Sequence, residues 1–470
     1  MSHNDPIATA RADASDSDHP PGFRGRRGLN WFLLGLMYAS YYMCRYNLSI
    51  AAPRIKDEFG LTNAQYGMIN TGRHWAYSVG QFVNGLFTDW LGGKQAMAVG
   101  AALTIVLNLL FGVSSYAGSG SILAFFFLIR AADGYAQSFG APGMIKVNTA
   151  WFPRSERGRF AGVFGLMIQV GQISINALGP WLLVAHTVLL FNRPVVIGGD
   201  WRWLFWIPPF LVAIVVLIMY TLVRNNPEDA GYRVRHDESE AFAGNAADER
   251  VPLRVVFATI VRQKMIWITA CAYFCTGVVR TAQYDWWVVY FDEEWGLDIA
   301  TSTLVIITGA LLPLTAFLGS IGSGFVSDLL FKGKRAPVAT ALYGIESAVI
   351  LSSALLLGNV DRASAPLAAA FMLLISLTCN STHSILGTAA AMDLGGRKMA
   401  GFASGVIDSF QYIGAGFAGV GLGKLIDYTA KHTSLGWNVW FYFMLPFSIA
   451  GMVLMAFVWW RTRGKAVVAG

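Results

Sequence analysis

The feature that most constrains this chain is a run of about 20 or more apolar residues, repeated along almost its entire length. Such runs lie near 29–51, 66–88, 95–115, 121–147, 159–183, 201–223, 265–291, 301–327, 336–358, 366–392, 400–423 and 438–460. A hydrocarbon core of ~30 Å needs about 20 apolar residues per helix, so each run is long enough to cross a bilayer. Charged residues make up 13% of the chain, against about a quarter in a soluble domain, which is too little to dress the runs in water. Inside lipid the backbone must satisfy itself as helices or as a closed barrel. The period-two alternation of a barrel is absent. The expected fold is therefore an all-α membrane protein with twelve transmembrane helices.

The loops set an orientation. Arg24, Arg26, Arg27, Lys94, Arg154, Arg157, Arg159, Lys332, Lys334, Arg335, Arg397, Lys398, Arg461, Arg463 and Lys465 fall on one side of the membrane, while a loop on the other reads Asp292-Glu293-Glu294. Lys and Arg collect on cytoplasmic loops, so both termini are expected in the cytoplasm and the chain in a bacterial inner membrane. The net charge of +7 belongs to this loop asymmetry, and no basic domain for nucleic acid is present. Cys44, Cys271, Cys275 and Cys379 all sit in apolar runs, which suits packing better than disulfides or zinc. Residues 1–28 have the composition of a disordered cytoplasmic segment, without a signal-peptide cleavage pattern.

A long polar stretch, 224–264, separates six runs from six. It divides the chain into an N-terminal half (29–223), a cytoplasmic linker, a C-terminal half (265–460) and a short tail (461–470). The halves look alike. Gly85-x-x-x-Asp89 closes the second run and Gly324-x-x-x-Asp328 closes the eighth, 239 positions later; Arg45 and Arg280 are 235 positions apart. Two pseudo-symmetric six-helix halves with a site at their interface is a transporter arrangement.

Ionisable groups inside the membrane mark function by default, because each costs about 2.5–3.5 kcal/mol to insert. Arg45 shares a helix face with Tyr38 and Tyr42, and Arg280 shares one with Tyr273 and Tyr284, by i, i+4, i+7 spacing. Each half thus offers a permanently charged, planar fork suited to phosphate or carboxylate. Arg130 and Asp133 are spaced to pair with each other. Asp285 is expected toward the outer end, which leaves Asp408 as the deep carboxylate, and one acid cannot neutralise two arginines. Arg73, Tyr77 and Gln81 form a second stripe; Arg73 fits the cavity, an outer gate or a helix contact. Asp408 sits within one turn of Gln411 and Tyr412, and fits a proton, a substrate amine or an arginine, the last ranking first. His74 reads as a packing residue. Asn380 and His383 are further cavity candidates, and Gly401/Gly405 is ordinary small-residue packing.

No P-loop, HExxH or GxSxG stands in a fitting context, so the chain reads as a transporter without cofactor or metal, driven by a gradient or by exchange. The sequence resembles the organophosphate:phosphate antiporters of the major facilitator superfamily over nearly all of 29–460. The likeness rests on Tyr41-Tyr42-x-x-Arg45, on Trp151-Phe152-Pro153-Arg154-Ser155-Glu156-Arg157-Gly158, on Arg280 with Asp285-Trp286, and on Asp328 with Phe331-Lys332-Gly333. The Gly85…Asp89 loop resembles the wider superfamily's motif, with Trp90 where Arg is usual.

That resemblance implies phosphate binding by Arg45 and Arg280, with cavity tyrosines at Tyr38, Tyr42, Tyr77 and Tyr412. It implies a monomer that exchanges a small phosphorylated organic anion, of the glycerol phosphate or sugar phosphate class, for inorganic phosphate. Departures concern the organic end. Tyr46 replaces a frequent Lys, Ile168 a His, Gln81 a Lys and Gly277 a Tyr, and Asp408 has no counterpart in the glycerol-3-phosphate type. Two other functions stay open: proton-coupled symport of an organic anion through Asp408, and a transporter-like receptor for sugar phosphate.

Overall fold

The computed structural model describes residues 20–116, 119–152, 154–190, 193–232, 263–331, 334–359 and 364–462; for 89, 119, 154–164, 190 and 388–404 it describes the backbone alone. Pro153, Lys332, Gly333, Arg463, Lys465, residues 1–19 and most of the linker lie outside the described residues, as do the side chains of Asp89, Arg154, Arg157, Arg159, Arg397 and Lys398.

The N-terminal half is built from α1 (Phe23–Phe59), α2 (Asn63–Leu91), α3 (Gly93–Ser114), α4 (Ile122–Gln137), α5 (Gly140–Trp151), α6 (Arg154–Leu182) and α7 (Trp203–Leu222). The C-terminal half is built from α8 (Lys264–Trp295), α9 (Thr303–Phe331), α10 (Arg335–Leu357), α11 (Ala365–Ser384), α12 (Ala391–His432) and α13 (Val439–Thr462). Seven of the described helices are long and apolar enough to cross a membrane by a simple hydropathy criterion, and α1, α2 and α12 are not among them. Those three carry Arg45, Arg73 and Asp408. The helix α8 passes even though it carries Arg280 and Asp285.

Three local features differ from the sequence expectation. The fourth apolar run is two helices, α4 and α5, parted at Ser138–Phe139. The loop expected near 393–399 is helical: a π-helical turn, Ile385–Ala390, leads from α11 directly into α12. That stretch holds two glycines but no proline, so no residue lacks the donor that helical bonding needs. Finally, the connection before α7 contains an antiparallel hairpin, β1 (His186–Leu190) and β2 (Arg193–Ile197). Its β-branched residues (Thr187, Val188, Val195, Val196, Ile197) favour strand, but two five-residue segments are too short to announce a strand between long apolar runs.

The internal repeat is visible in the packing. In the first half α2 packs on α4, α1 on α6 and α3 on α7; in the second half the equivalent pairs are α9 on α11, α8 on α12 and α10 on α13. The halves meet through α2 with α12, α6 with α9 and α1 with α8.

One end of that junction is latched. Lys56 is ion-paired with Glu293, and its Nζ donates to Asn63 Oδ1 at 2.6 Å. Glu293 also accepts from Trp437 Nε1 at 3.1 Å and from Asn63 Nδ2 at 3.3 Å. Arg54 pairs with Asp298 at 3.2 Å. The first turn of α2 has its own capping box, Thr62 with Gln65, yet the Asn63 and Ala64 amides donate across the junction to Asp427 at 3.1 and 2.8 Å. Just inside this latch the two backbones touch: a Cβ on Gly67 would stand 2.1 Å from Gly419 O, and one on Gly419 2.6 Å from Gly67 O. No residue but glycine fits either position. Further along, Thr71 donates to Gly416 O, Trp75 to Ile413 O and Ser78 to Ser409 O. Gln81 to Asp408, at 3.3 Å, is the last hydrogen bond between the halves on this face among the described residues; α2 continues to Leu91 beyond it.

Candidate functional site

Arg45 is buried in α1, 5% exposed. Its Nε donates to Gln137 Oε1 at 3.0 Å, and its guanidinium lies 4.5 Å from the Tyr42 ring centroid and 4.7 Å from that of Tyr77. Its Nη2 is buried without a hydrogen-bond partner. Arg280 of α8 is held in the same manner. Its Nε donates to Asn380 Oδ1 at 3.2 Å, and its guanidinium lies 5.4 Å from the Tyr284 ring. Asn380 is itself aligned, donating to the Tyr284 hydroxyl at 2.9 Å. Among the described residues no carboxylate comes within 4 Å of either guanidinium.

Each arginine is thus fixed by a neutral amide at Nε, which leaves its outer nitrogens for something else. A cation–π contact contributes about 0.5–2 kcal/mol, whereas a buried ion loses several kcal/mol of solvation. The rings and amides offset only part of that loss. The arrangement is suited to an anion between the two forks.

Both arginines line one void, with Tyr46, Arg73, His74, Thr281, Tyr284, Asp285, Gln411 and Tyr412. It measures about 10 Å³, roughly the room one water molecule needs, so the walls must part to admit a phosphate. Tyrosines bridge the halves around it: Tyr77 and Tyr412 rings are 4.3 Å apart and those of Tyr46 and Tyr284 6.0 Å. Of the residues singled out from sequence, Arg45, Arg280 and Tyr412 line the void, while Tyr42 and Tyr77 back Arg45. Tyr38 stands one turn away against the Tyr42 ring. Gln81 and Asp408 lie outside the void, joined to each other.

One carboxylate expectation needs correction, and a second carboxylate has partners the sequence did not announce. Asp408 has Gln81 as its hydrogen-bond partner, and neither arginine is within ion-pair distance. Asp285 is a buried, 3% exposed group that lines the void at the junction of the halves. His74 Nε2 lies 2.8 Å from its Oδ2, and Arg73 Nη2 lies 3.5 Å from its Oδ1. Its backbone carbonyl accepts from Tyr66 at 2.6 Å and Ser49 at 3.4 Å. Arg73 Nη2 also lies 2.9 Å from His74 Nε2, so Arg73 and His74 of one half converge on Asp285 of the other. His74 is therefore part of a cross-half ion cluster, beyond ordinary packing. Arg130 and Asp133 pair at 3.0 Å, as their spacing suggested.

Sequence reasoning passed over Gln137, the partner of Arg45; an amide four residues after Asp133 in an apolar helix was the available signal. Gln137 Nε2 donates to Asp133 Oδ2 at 3.0 Å, so it stands as a neutral spacer between Arg45 and that carboxylate. The replacement of a tyrosine by Gly277 has a packing cause, since a Cβ there would stand 2.0 Å from Gln411 O. His383 Nδ1 lies 2.7 Å from the Tyr273 hydroxyl. Among the described residues no cluster of His, Cys, Asp and Glu could hold a metal.

The sequence profile of the Major Facilitator Superfamily matches residues 34–419. The chain is 27% identical to the hexose-6-phosphate:phosphate antiporter of Escherichia coli, over 91% of this chain and 89% of that protein. It is 28% identical to the membrane sensor protein UhpC of Salmonella typhimurium, over 83% of this chain and 84% of the relative. In fold it resembles the crystal structure of a D-xylose–proton symporter (TM-score 0.69, 13% identity), covering 94% of this chain and 99% of the other.

Proposed function

The chain belongs to the major facilitator superfamily, and from that premise we propose that it exchanges a small phosphorylated organic anion for inorganic phosphate by alternating access. The observation that carries this reading is the pair of arginines, one from each half, that meet at a single void with neutral partners only. A phosphate dianion would occupy both forks at once and draw the halves together. An empty site that closed would bury two uncompensated cations, so reorientation is favoured when the site is loaded. That bias is the physical basis of exchange. Gln81 and Asp408, with Tyr38, border the path on which the organic group leaves the forks.

In this reading the termini are cytoplasmic and the protein sits in a bacterial inner membrane as a monomer. Lys94, Lys334, Arg335 and Arg461 lie at the cytoplasmic side; Glu293, Asp298 and Asp427 lie at the outer side, as the positive-inside rule requires. The latch then closes the outer mouth. Transport of a solute, without chemistry upon it, is the whole activity.

Proteoliposomes test this. Phosphate-loaded vesicles should take up labelled phosphate and exchange it for glycerol 3-phosphate or a hexose 6-phosphate, and empty vesicles should not. Uptake driven by a pH gradient without internal phosphate would replace exchange by proton symport. A receptor reading has one observation behind it, the sensor relative, which matches at an identity similar to that of the antiporter. Tight binding of phosphate esters with no flux in either vesicle type would establish it.

A further inference from the structure

Beyond the two forks, α8 and α11 carry a second polar pair that the phosphate does not use. His383 follows Asn380, the amide that fixes Arg280, by three residues on α11. Tyr273 precedes Arg280 by two turns on α8. Residues three or seven apart share a helix face, so both stand on the faces that hold the C-terminal fork. Their rings stack at 5.4 Å, with the Tyr273 oxygen 2.7 Å from His383 Nδ1.

The contact is built. Tyr273 is 1% exposed, and its hydroxyl has room because residue 387 is glycine: a Cβ there would stand 2.2 Å from that oxygen. The π-helical turn that brings Gly387 to this place begins two residues after His383; such turns recur at functional sites.

The hydrogen bond also fixes the tautomer. The contact by itself allows either group to donate, but among the described residues the Tyr273 hydroxyl has no other hydrogen-bond partner, so its one proton goes to His383 Nδ1. A neutral imidazole that accepts at Nδ1 carries its own proton on Nε2. Among the described residues Nε2–H has no hydrogen-bond partner, and the residue is half-buried. Three residues of helix rise separate it from Asn380, about 4.5 Å, a distance a small ester spans beyond its phosphate.

Resting on the exchange reading above, we propose that His383 donates Nε2–H to a hydroxyl or ring oxygen of the substrate's organic part, with Tyr273 as the positioning residue that holds the ring in that tautomer. An uncharged N–H donor selects an oxygen acceptor and rejects an ammonium group, so polyol and sugar phosphates are favoured over aminoalkyl phosphates. The recognition of the organic end is then lodged in the C-terminal half.

The test is competition binding in detergent, with labelled phosphate displaced by glycerol 3-phosphate, glucose 6-phosphate, phosphoethanolamine or unlabelled phosphate. His383→Ala should weaken the preferred ester about tenfold relative to phosphate, the scale of one lost hydrogen bond. His383→Gln should recover part of the loss, because its amide N–H reaches a place like that of Nε2–H. Tyr273→Phe keeps the ring stack, frees the tautomer and should give a smaller shift in the same direction. An unchanged ester-to-phosphate ratio in His383→Ala, or equal weakening of both, overturns the proposal; equal weakening marks a packing role. The transport reading is judged separately, by exchange in vesicles with the parent protein. A parent that binds esters selectively without flux would end that reading and leave the His383 measurement intact.

Discussion

Arg130 and Arg45 are neighbours with opposite fates. Arg130 is 1% exposed, pairs with Asp133 and donates to the backbone carbonyls of Cys44 and Arg45 at 3.2 and 3.0 Å. Arg45 is almost as deeply buried, yet receives only amide and ring contacts, and Arg280 repeats that condition in the other half. One arginine is neutralised within its own half and ties α4 to α1. The other two have no counter-ion among the described residues. Intramembrane charge by itself therefore does not single out a residue; in the exchange reading, charge without a local counter-ion marks the site.

The comparison breaks most severely at Asp133. Asp133→Asn should leave Arg130 buried and uncompensated, a loss of about 3–5 kcal/mol, read as a large fall in thermal stability in detergent. Adding Arg130→Gln should recover much of it, because the neutral pair leaves no charge behind. A stable single variant would mean that Arg130 finds compensation elsewhere and that the contrast with Arg45 is false.

Next come the forks. Arg45→Lys and Arg280→Lys keep the charge but lose bidentate geometry, and each should lower phosphate exchange about a hundredfold, or roughly 2.7 kcal/mol, with little change in thermal stability. Near-parental exchange by either variant would remove that arginine from the site.

Asp285 lies between the two cases, since it compensates Arg73 and His74 only while the halves are joined. Asp285→Asn should shift the population toward an open latch by about tenfold. Distances between spin labels near Lys56 and Asp427 should lengthen accordingly. Unchanged distances would assign closure to the Lys56–Glu293 pair and the Asp427 cap alone.

The smallest effect is expected at Asp408. With Gln81 as its partner and no arginine in reach, Asp408→Asn should change exchange about threefold or less, the worth of one partly exposed hydrogen bond. Loss of acceleration by an inward pH gradient in this variant would instead identify Asp408 as a proton carrier.

The apolar runs, the repeat and the two arginines were legible in the sequence because each is a matter of local composition or fixed offset. Arg45 and Arg280 announce themselves at any depth, since no other residue type keeps its charge so firmly. Their partners were harder to read. Gln137 and Asn380 are amides that would look the same if they merely packed, and only the crossing of α1 with α4 and α8 with α11 gives them their task. The partners of Asp285 were not legible, because Arg73 and His74 arrive from α2 in the other half. Asp408 misled: depth suggested an arginine partner, and Gln81 came first. The hairpin and the Ser138–Phe139 break escaped because apolarity dictates that a segment enters lipid, not that it remains one unbroken helix.

The contact between Gly67 and Gly419 has a mechanical meaning. Most helix junctions interlock through side chains, and sliding them apart requires rotamers to flip and refill. Here two bare backbones meet, so nothing has to unlock. The surface works as a plain bearing, smooth to separation and rejoining, placed beside the latch. The same smoothness makes the bearing intolerant: one added methyl group at either position would act as a wedge that holds the latched end ajar.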